Sequence, residues 1–429
     1  MSISEIYSIF LKCDSVSTDT RTIAKNCLFF ALKGDNFNGN VFAQEALKNG
    51  AKYCIIDEEP YATNDKFVLV DSVIETLQEL ATYHRKTLNT PLIALTGSNG
   101  KTTTKELINA VLNTQYKTIA TQGNYNNHIG VPLTLLRLKK DTEIGIIEMG
   151  ANHQKEIKFL ANIALPDYGL ITNFGKAHLE GFGGIEGVIK GKSELYDHLI
   201  SNGKLVFINN DDVLQIKQIG TYKNVYTFGN SNGNNLEVNQ LHNSDFVSLE
   251  FNNIRVNSNL TGSYNFNNIA VAIAIGVYFK INNRQIKQGI ETYVPSNNRS
   301  QIIKRDSTKI ILDAYNANPT SMKAAIDNFK NLSSENKILF LGDMFELGEV
   351  AEIEHQLILD YAEKQISGQC IFIGSNFKKT VPSKNNSMLF ETFEKCVDYI
   401  KHLDLSNALI LIKGSRGMAL ERIVDILES

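Results

Sequence analysis

At roughly 100–200 residues per domain, a chain of 429 residues with 43% hydrophobic and 21% charged side chains should fold as two to four domains, three being the central expectation. Its 43 Lys and Arg against 46 Asp and Glu give a formal net charge of -3, which argues against a general nucleic-acid binder and leaves room for a local basic pocket. No apolar run approaches the ~20 residues that cross a bilayer, so no membrane insertion is expected.

The first ten residues lack the basic region and apolar run of a signal peptide. The five cysteines (Cys13, Cys27, Cys54, Cys370 and Cys396) are isolated, as in proteins of a reducing compartment, and a cytoplasmic location is expected. Apolar runs at 27–32 and 53–56 alternate with helical segments, and 34–40 is turn chemistry, so residues 1–88 read as a small α/β domain. A new pattern starts at Pro91. Residues 92–96 form an apolar strand, 97–100 a loop, and 101–112 repeat apolar residues at helical spacing. Further apolar strands at 145–149, 168–172 and 205–209, with helices between, predict a mostly parallel sheet. Residues 236–260 alternate polar and apolar side chains and predict antiparallel strands, before 267–279 returns to helix. This central domain spans 89–295. Past a polar hinge at 295–298, strands at 309–313, 338–341, 370–373 and 408–412 are each followed by a helical segment. Residues 296–429 thus form a third, Rossmann-like doubly wound domain.

The strongest single feature is Leu95-Thr96-Gly97-Ser98-Asn99-Gly100-Lys101-Thr102-Thr103. A strand enters it, glycines let backbone N–H groups approach an anion, and a helix N-terminus follows. Lys101 can neutralise β- and γ-phosphate oxygens and the Thr102 hydroxyl can hold Mg²⁺. A bland turn with an exposed lysine is the competing reading, and the strand–loop–helix context favours nucleotide binding. Glu148 closes an apolar strand and should emerge at a sheet's carboxyl edge, where a carboxylate suits Mg²⁺. His178 lies past the next strand, and Lys192 lies within Ile189-Lys190-Gly191-Lys192-Ser193-Glu194. Alone, each reads as an ordinary polar residue.

Together these segments resemble the Mur ligase family over essentially the whole chain. The family's TGxxGKT loop matches 96–102, where Leu95 stands in place of the first glycine of the general phosphate-loop rule. Glu148-Met149-Gly150-Ala151, Ala177-His178-Leu179-Glu180, Tyr315-Asn316-Ala317-Asn318-Pro319, Leu341-Gly342-Asp343-Met344 with Glu346-Leu347-Gly348, and Lys413-Gly414-Ser415-Arg416 resemble motifs of its D-alanyl-D-alanine-adding branch. The resemblance implies ATP and Mg²⁺ as cofactors. Gly97, Ser98, Asn99, Gly100, Lys101, Thr102 and Thr103 would take the phosphates, and Thr102, Glu148, His178 and a carbamylated Lys192 the metal. Asn265 and Asn268 would lie on the adenine side, in a motif where Tyr264 replaces the frequent histidine. Arg299, Asp313, Tyr315 and Asn318 would reach the nucleotide from the third domain, and Lys101, His178, Lys192 and Arg299 would be catalytic. Thr18, Asp19, Thr20 and Arg21 resemble a UDP-sugar segment with Thr20 for the usual serine, and Asn38, Gly39 and Asn40 another. Asn124, Asn126 and Asn127 would hold the muramoyl-peptide end.

The activity so implied is ligation of D-alanyl-D-alanine to UDP-N-acetylmuramoyl-tripeptide by a monomer. The γ-phosphoryl group of ATP passes to the terminal carboxylate, and the dipeptide amine attacks the resulting acyl phosphate. Two rivals remain at this level. A relative adding diaminopimelate or lysine should carry a DNPR-like motif in its last domain, which is not found here, and a P-loop switch would hydrolyse ATP without an amine acceptor.

Overall fold

The computed structural model describes residues 1–241, 245–295, 298–305 and 307–427, so Ser296 and Asn297 of the expected hinge lie outside the described residues. Three α/β units follow one another. The first, among the described residues, is a four-stranded parallel sheet in the order Ser15–Ser17, Cys27–Phe30, Tyr53–Ile56, Phe67–Leu69. Cys27–Phe30 is apolar throughout because both its faces are covered. The expected turn at 34–40 is a small antiparallel hairpin of Lys33–Gly34 with Phe37–Asn38, continuing into a 3-10 turn at Gly39–Phe42. Helix Val73–Leu88 begins where the Ser72 hydroxyl accepts from Glu75 N–H and ends at Asn89 in the left-handed region. It buries Leu77, Leu80 and Ala81, and its Arg85 reaches Asp167 of the second unit at 2.6 Å.

The second unit holds a seven-stranded parallel sheet, in the order Leu236–Glu237, Val225–Gly229, Leu205–Asn209, Tyr168–Ile171, Leu92–Thr96, Ile144–Glu148, Thr118–Ala120 among the described residues. The first of these corrects the expectation for 236–260. Leu236–Glu237 joins the main sheet parallel to Val225–Gly229, and antiparallel pairing starts only with Asn239–Leu241, Phe246–Phe251 and Ile254–Thr261. Alternation reports that one face is buried and is silent about which neighbour a strand edge pairs with. Helix Asn265–Tyr278 is apolar nearly all round because it is buried, packing with helix Lys101–Leu112 over Ile93, Leu95 and Ile146.

The third unit is, among the described residues, a six-stranded sheet in the order Gln301–Arg305, Thr308–Asp313, Ala408–Lys413, Asn336–Gly342, Gln369–Ile373, Ser387–Phe390, with Gln301–Arg305 antiparallel to its neighbour. Its core includes Ile310, Leu312, Phe340, Ile371 and Ile410. In open α/β sheets ligands bind beyond the carboxyl ends of the strands. Here loops at the carboxyl edges of the second and third sheets line one shared cavity.

Candidate active site

That cavity encloses about 1070 Å³, room for more than one drug-sized ligand. Its floor is the loop 97–103. Gly97 (φ +145°) passes so close to Thr172 that a Cβ would stand 2.0 Å from its Oγ1. At Gly100 (φ +78°) a Cβ would stand 2.6 Å from Asn268 Oδ1. Side chains brace the loop from below. Asn173 Oδ1 accepts from Asn99 N–H at 3.0 Å, Thr172 Oγ1 donates to Asn99 O at 2.6 Å, and Ser98 Oγ donates to Gly175 O at 2.9 Å. Helix Lys101–Leu112 then starts with its first-turn residues on the cavity, where unpaired N–H groups favour an anion. Lys101 Nζ donates to Gly97 O at 2.8 Å. Burial lowers its pKa, Glu148 opposes that shift, and Arg299 adds to it.

Glu148 ends its strand fully buried. Its Oε1 accepts from Thr102 Oγ1 at 3.3 Å and from Asn126 Nδ2 at 2.8 Å, and its N–H donates to Thr121 Oγ1 at 3.0 Å. Its Oε2 is buried with no hydrogen-bond partner among the described residues. A buried carboxylate oxygen left unmatched beside a threonine hydroxyl is the donor set a hard divalent cation takes, so the residues present fit Mg²⁺.

His178 also lines the cavity. It sits in the left-handed region at φ +53°, and its Nδ1 bonds Glu346 Oε2 of the third unit. Lys192 lies within helix Ile185–Ser201, wholly buried behind the cavity wall, and is not among the cavity-lining residues. Its Nζ donates to Ala151 O at 3.1 Å and lies 4.9 Å from the centroid of the Phe182 ring. Burial, with Lys101 nearby, pushes its pKa well below the usual lysine range, against smaller pulls from Glu156 and Glu194. The neighbouring Lys190 is exposed on the same helix.

The opposite wall comes from the third unit. The Arg299 guanidinium stacks 3.6 Å from the Tyr315 ring centroid. Asp313 Oδ1 accepts from Ser300 N–H at 3.1 Å and Oδ2 from Lys413 Nζ at 2.6 Å. Asn318, expected at the nucleotide, is buried and does not itself line the cavity. It caps helix Pro319–Asn331 by accepting from Ser321 N–H at 2.9 Å and donates 2.7 Å to Asn99 Oδ1 on the phosphate loop. Asn265 and Asn268 are buried at the cavity edge, with their amides engaged inside the protein. Asn265 Nδ2 donates to Thr261 O at 2.7 Å, while Asn268 Oδ1 accepts from Thr104 Oγ1 at 3.0 Å and its Nδ2 donates to Asn265 Oδ1 at 2.9 Å. They underpin the loop as much as they face a ligand.

Asn124, Asn126 and Asn127 line the same cavity beside Gln78 and His128. Thr18, Asp19, Thr20, Arg21, Asn38, Gly39 and Asn40 do not line it. They follow the first two strands at the carboxyl edge of the first sheet. There Asp19 and Arg21 pair at 2.7 Å, which holds the Asp19 carboxyl at about 2. Asn40 is fully buried, donating 2.8 Å to Asp57 Oδ1 and accepting from Asp57 N–H at 3.0 Å. Asn173, Gln78 and Lys155 also line the cavity and carry no motif that marks them in the sequence, whereas Glu346, Lys413 and Arg416 lie inside motifs, which are the signal that points to them.

Family models match three successive stretches. These are the Mur ligase family catalytic domain over residues 12–87, the Mur ligase middle domain over 95–276, and the Mur ligase glutamate ligase domain over 298–416. A UDP-N-acetylmuramoyl-tripeptide--D-alanyl-D-alanine ligase of Bacillus subtilis is 36% identical over 437 residues, spanning 96% of this chain and 93% of that protein. The crystal structure of MurF from Acinetobacter baumannii superimposes with a TM-score of 0.87 at 26% identity, covering 100% of this chain and 99% of the other. MurF from Thermotoga maritima in complex with ADP gives 0.85 at 25% identity over 98% of each chain.

Proposed function

This chain belongs to the Mur ligase family, and on that premise we propose that it joins D-alanyl-D-alanine to UDP-N-acetylmuramoyl-tripeptide in an ATP-driven reaction. The observation that carries the reading is the convergence of Lys101, Thr102, Glu148, Arg299, Asp313 and Lys413 from two domains on one cavity. ATP lies with its phosphates on residues 97–103 and its nucleoside toward Asn265, Asn268, Asp313, Tyr315 and Asn318. Lys101 and Arg299 offset the charge of the transferred phosphoryl group and hold it in line with the substrate carboxylate. The carboxylate oxygen attacks the γ-phosphorus, ADP leaves, and an acyl phosphate forms. The neutral amine of the dipeptide then adds to the acyl carbon, its extra proton passes to phosphate or solvent, and phosphate leaves from the tetrahedral intermediate. No enzyme nucleophile is needed. Thr102 and Glu148, with His178 and a carbamylated Lys192 completing a second position, would hold Mg²⁺, which supplies charge neutralisation on the phosphate oxygens when bound. Lys192 suits carbamylation because its lowered pKa leaves more neutral amine to take up carbon dioxide.

The substrate runs from Thr18–Arg21 and Asn38–Asn40 at the first sheet's edge to Asn124, Asn126 and Asn127 at the cavity. Residues 1–88 are then the UDP-sugar domain, 89–295 the ATP-binding domain and 296–429 the ligase domain. ATP and a UDP-linked peptide are cytoplasmic compounds, which supports that location, and the proposed reaction is assigned to a monomer. A phosphate-release assay over UDP-muramoyl peptides and amine acceptors tests the reading. Phosphate release that requires both UDP-muramoyl-tripeptide and D-alanyl-D-alanine is expected. Equal turnover with single amino acids would assign another branch of the family, and turnover without an acceptor would assign an ATPase switch.

A further inference from the structure

We infer that Glu346 is a positioning residue for the ligation, reaching across the domain boundary to set the orientation and tautomer of His178. Three observations carry this. First, its carboxylate bonds His178 Nδ1, so the ring presents Nε2 as the nitrogen left for the cavity that His178 lines. An ionised carboxylate can only accept, so Nδ1 is the nitrogen that carries the proton.

Second, the loop that presents Glu346 is built to be stiff. The buried Asp343 carboxylate accepts from Asn376 N–H at 2.9 Å and Phe377 N–H at 3.0 Å. Met344 N–H donates to His355 Nε2 at 3.0 Å, and Phe345 N–H donates to Ser415 Oγ at 3.0 Å. Three consecutive residues are thus anchored to three different elements, and Glu346 follows them at φ +61°. Third, the partner is held in an equally uncommon conformation, His178 at φ +53°, and Glu346 O accepts from Glu180 N–H at 3.3 Å beside it. Non-glycine residues in the left-handed region persist where surrounding structure determines them, and here two of them meet side chain to side chain.

The consequence is a coupling. His178 belongs to the ATP-binding domain and Glu346 to the ligase domain, so the imidazole takes its working orientation only while the two domains are apposed. A carboxylate that fixes the far nitrogen of a working histidine typically carries about 10- to 100-fold of activity.

The inference rests on the ligase reading for the meaning of turnover, and its test is separable from that reading. Full-length protein with ¹⁵N-labelled histidine, saturated with ADP, should show a His178 signal of the Nδ1-protonated tautomer, assigned by its loss in His178→Asn. Glu346→Ala should move that signal toward the Nε2-protonated form usual for free imidazole. It should also lower kcat about 10- to 100-fold with little change in the KM for ATP. Glu346→Gln keeps an accepting oxygen and should recover most of both. In a His178→Ala background, Glu346→Ala should cost nothing further. An unmoved His178 signal in Glu346→Ala overturns the inference, as does an equal loss of turnover in the His178→Ala background. Failure of the ligase reading would show instead as wild-type turnover independent of the amine acceptor, with the tautomer result unaffected.

Discussion

The phosphate-loop cavity and the carboxyl edge of the first sheet are both lined by short polar side chains at strand ends, yet they are built differently. Around the loop, the polar groups are buried and locked: Thr102 and Asn126 on Glu148, Asn173 on Asn99, Lys413 on Asp313. Among the described residues, Glu148 Oε2 is left buried without a hydrogen-bond partner, as are Thr96 Oγ1 and Asn99 Nδ2 at the loop itself. At the sheet edge, buried Asn40 is likewise locked on Asp57, but Asp19 and Arg21 pair with each other in solvent, where a ligand can replace either partner. Preorganised groups in a dry site act on charge that develops in a transition state, while exposed groups add binding that substrate and transition state share. The first region should therefore govern kcat and the second KM.

The largest test of that division is Lys101→Ala. Removing a fixed cation from the phosphate site should lower turnover on the order of 10²–10³-fold with the fold retained, as read by circular dichroism and phosphate release. Near-normal turnover in a folded variant would dissolve the contrast. Lys192→Ala should rank next, at about 10- to 100-fold. Added short carboxylates should partly restore it by supplying the anionic oxygen that a carbamate would provide, while Lys190→Ala on the exposed face stays silent. Full activity of Lys192→Ala without additive, or an uncarbamylated Lys192 in a nucleotide-bound crystal grown with bicarbonate, would leave an ordinary buried lysine.

At the sheet edge the expected signature reverses. Arg21→Ala should raise the KM for the UDP-linked substrate about tenfold, the equivalent of one contact of about 1.4 kcal/mol, with kcat unchanged. The Asp19 carboxyl is held at about 2 by Arg21, so it stays ionised through the working range. The KM should then show no carboxylate titration between mildly acidic and neutral pH. In Arg21→Ala the Asp19 pKa returns upward, and a pH dependence of KM should emerge at the acid end. A kcat effect from Arg21→Ala would blur the two regions.

How much of this could be read from the sequence follows from where each contact's partners lie along the chain. The loop 97–103 and the strands entering it were legible because strand, glycines, lysine and helix are consecutive. The domain sequence was legible because apolar strands alternate with helical spacing. The supports of the same loop were not, since Asn173 lies 74 residues from Asn99 and Asn318 lies 219 residues away. His178 and Glu346 are 168 residues apart and in different domains, and no local pattern links them. Strands Thr118–Ala120 and Ser387–Phe390 escaped because each sits at a sheet edge, where half-exposed residues blur the apolar signal. Burial also separated Lys192 from Lys190, which periodicity alone left equivalent.

The smallest expected effect lies where the two regions meet, at Asn127. Its place in Asn124-Tyr125-Asn126-Asn127 suggested a substrate contact, and it does line the cavity. Its side-chain oxygen, however, is already engaged. Oδ1 accepts from Ile129 N–H at 3.1 Å and from Gly130 N–H at 2.9 Å, at the start of helix Gly130–Leu135. Its backbone oxygen accepts from Val131 N–H at 2.9 Å. These are the bonds of a helix cap, which satisfies donors the helix cannot pair internally. Asn127→Ala should therefore act first on stability, costing about 1 kcal/mol. Asn127→Asp keeps the accepting oxygen and should restore most of that loss. Because the capped helix packs against Val73–Leu88 of the first unit, loosening it should also raise the KM for the UDP-linked substrate slightly, with kcat held. Thermal denaturation with steady-state kinetics on both variants separates the roles. If Asn127→Asp recovers stability but leaves KM raised, the amide itself touches substrate, and Asn127 belongs with the binding edge rather than with the scaffold beneath it.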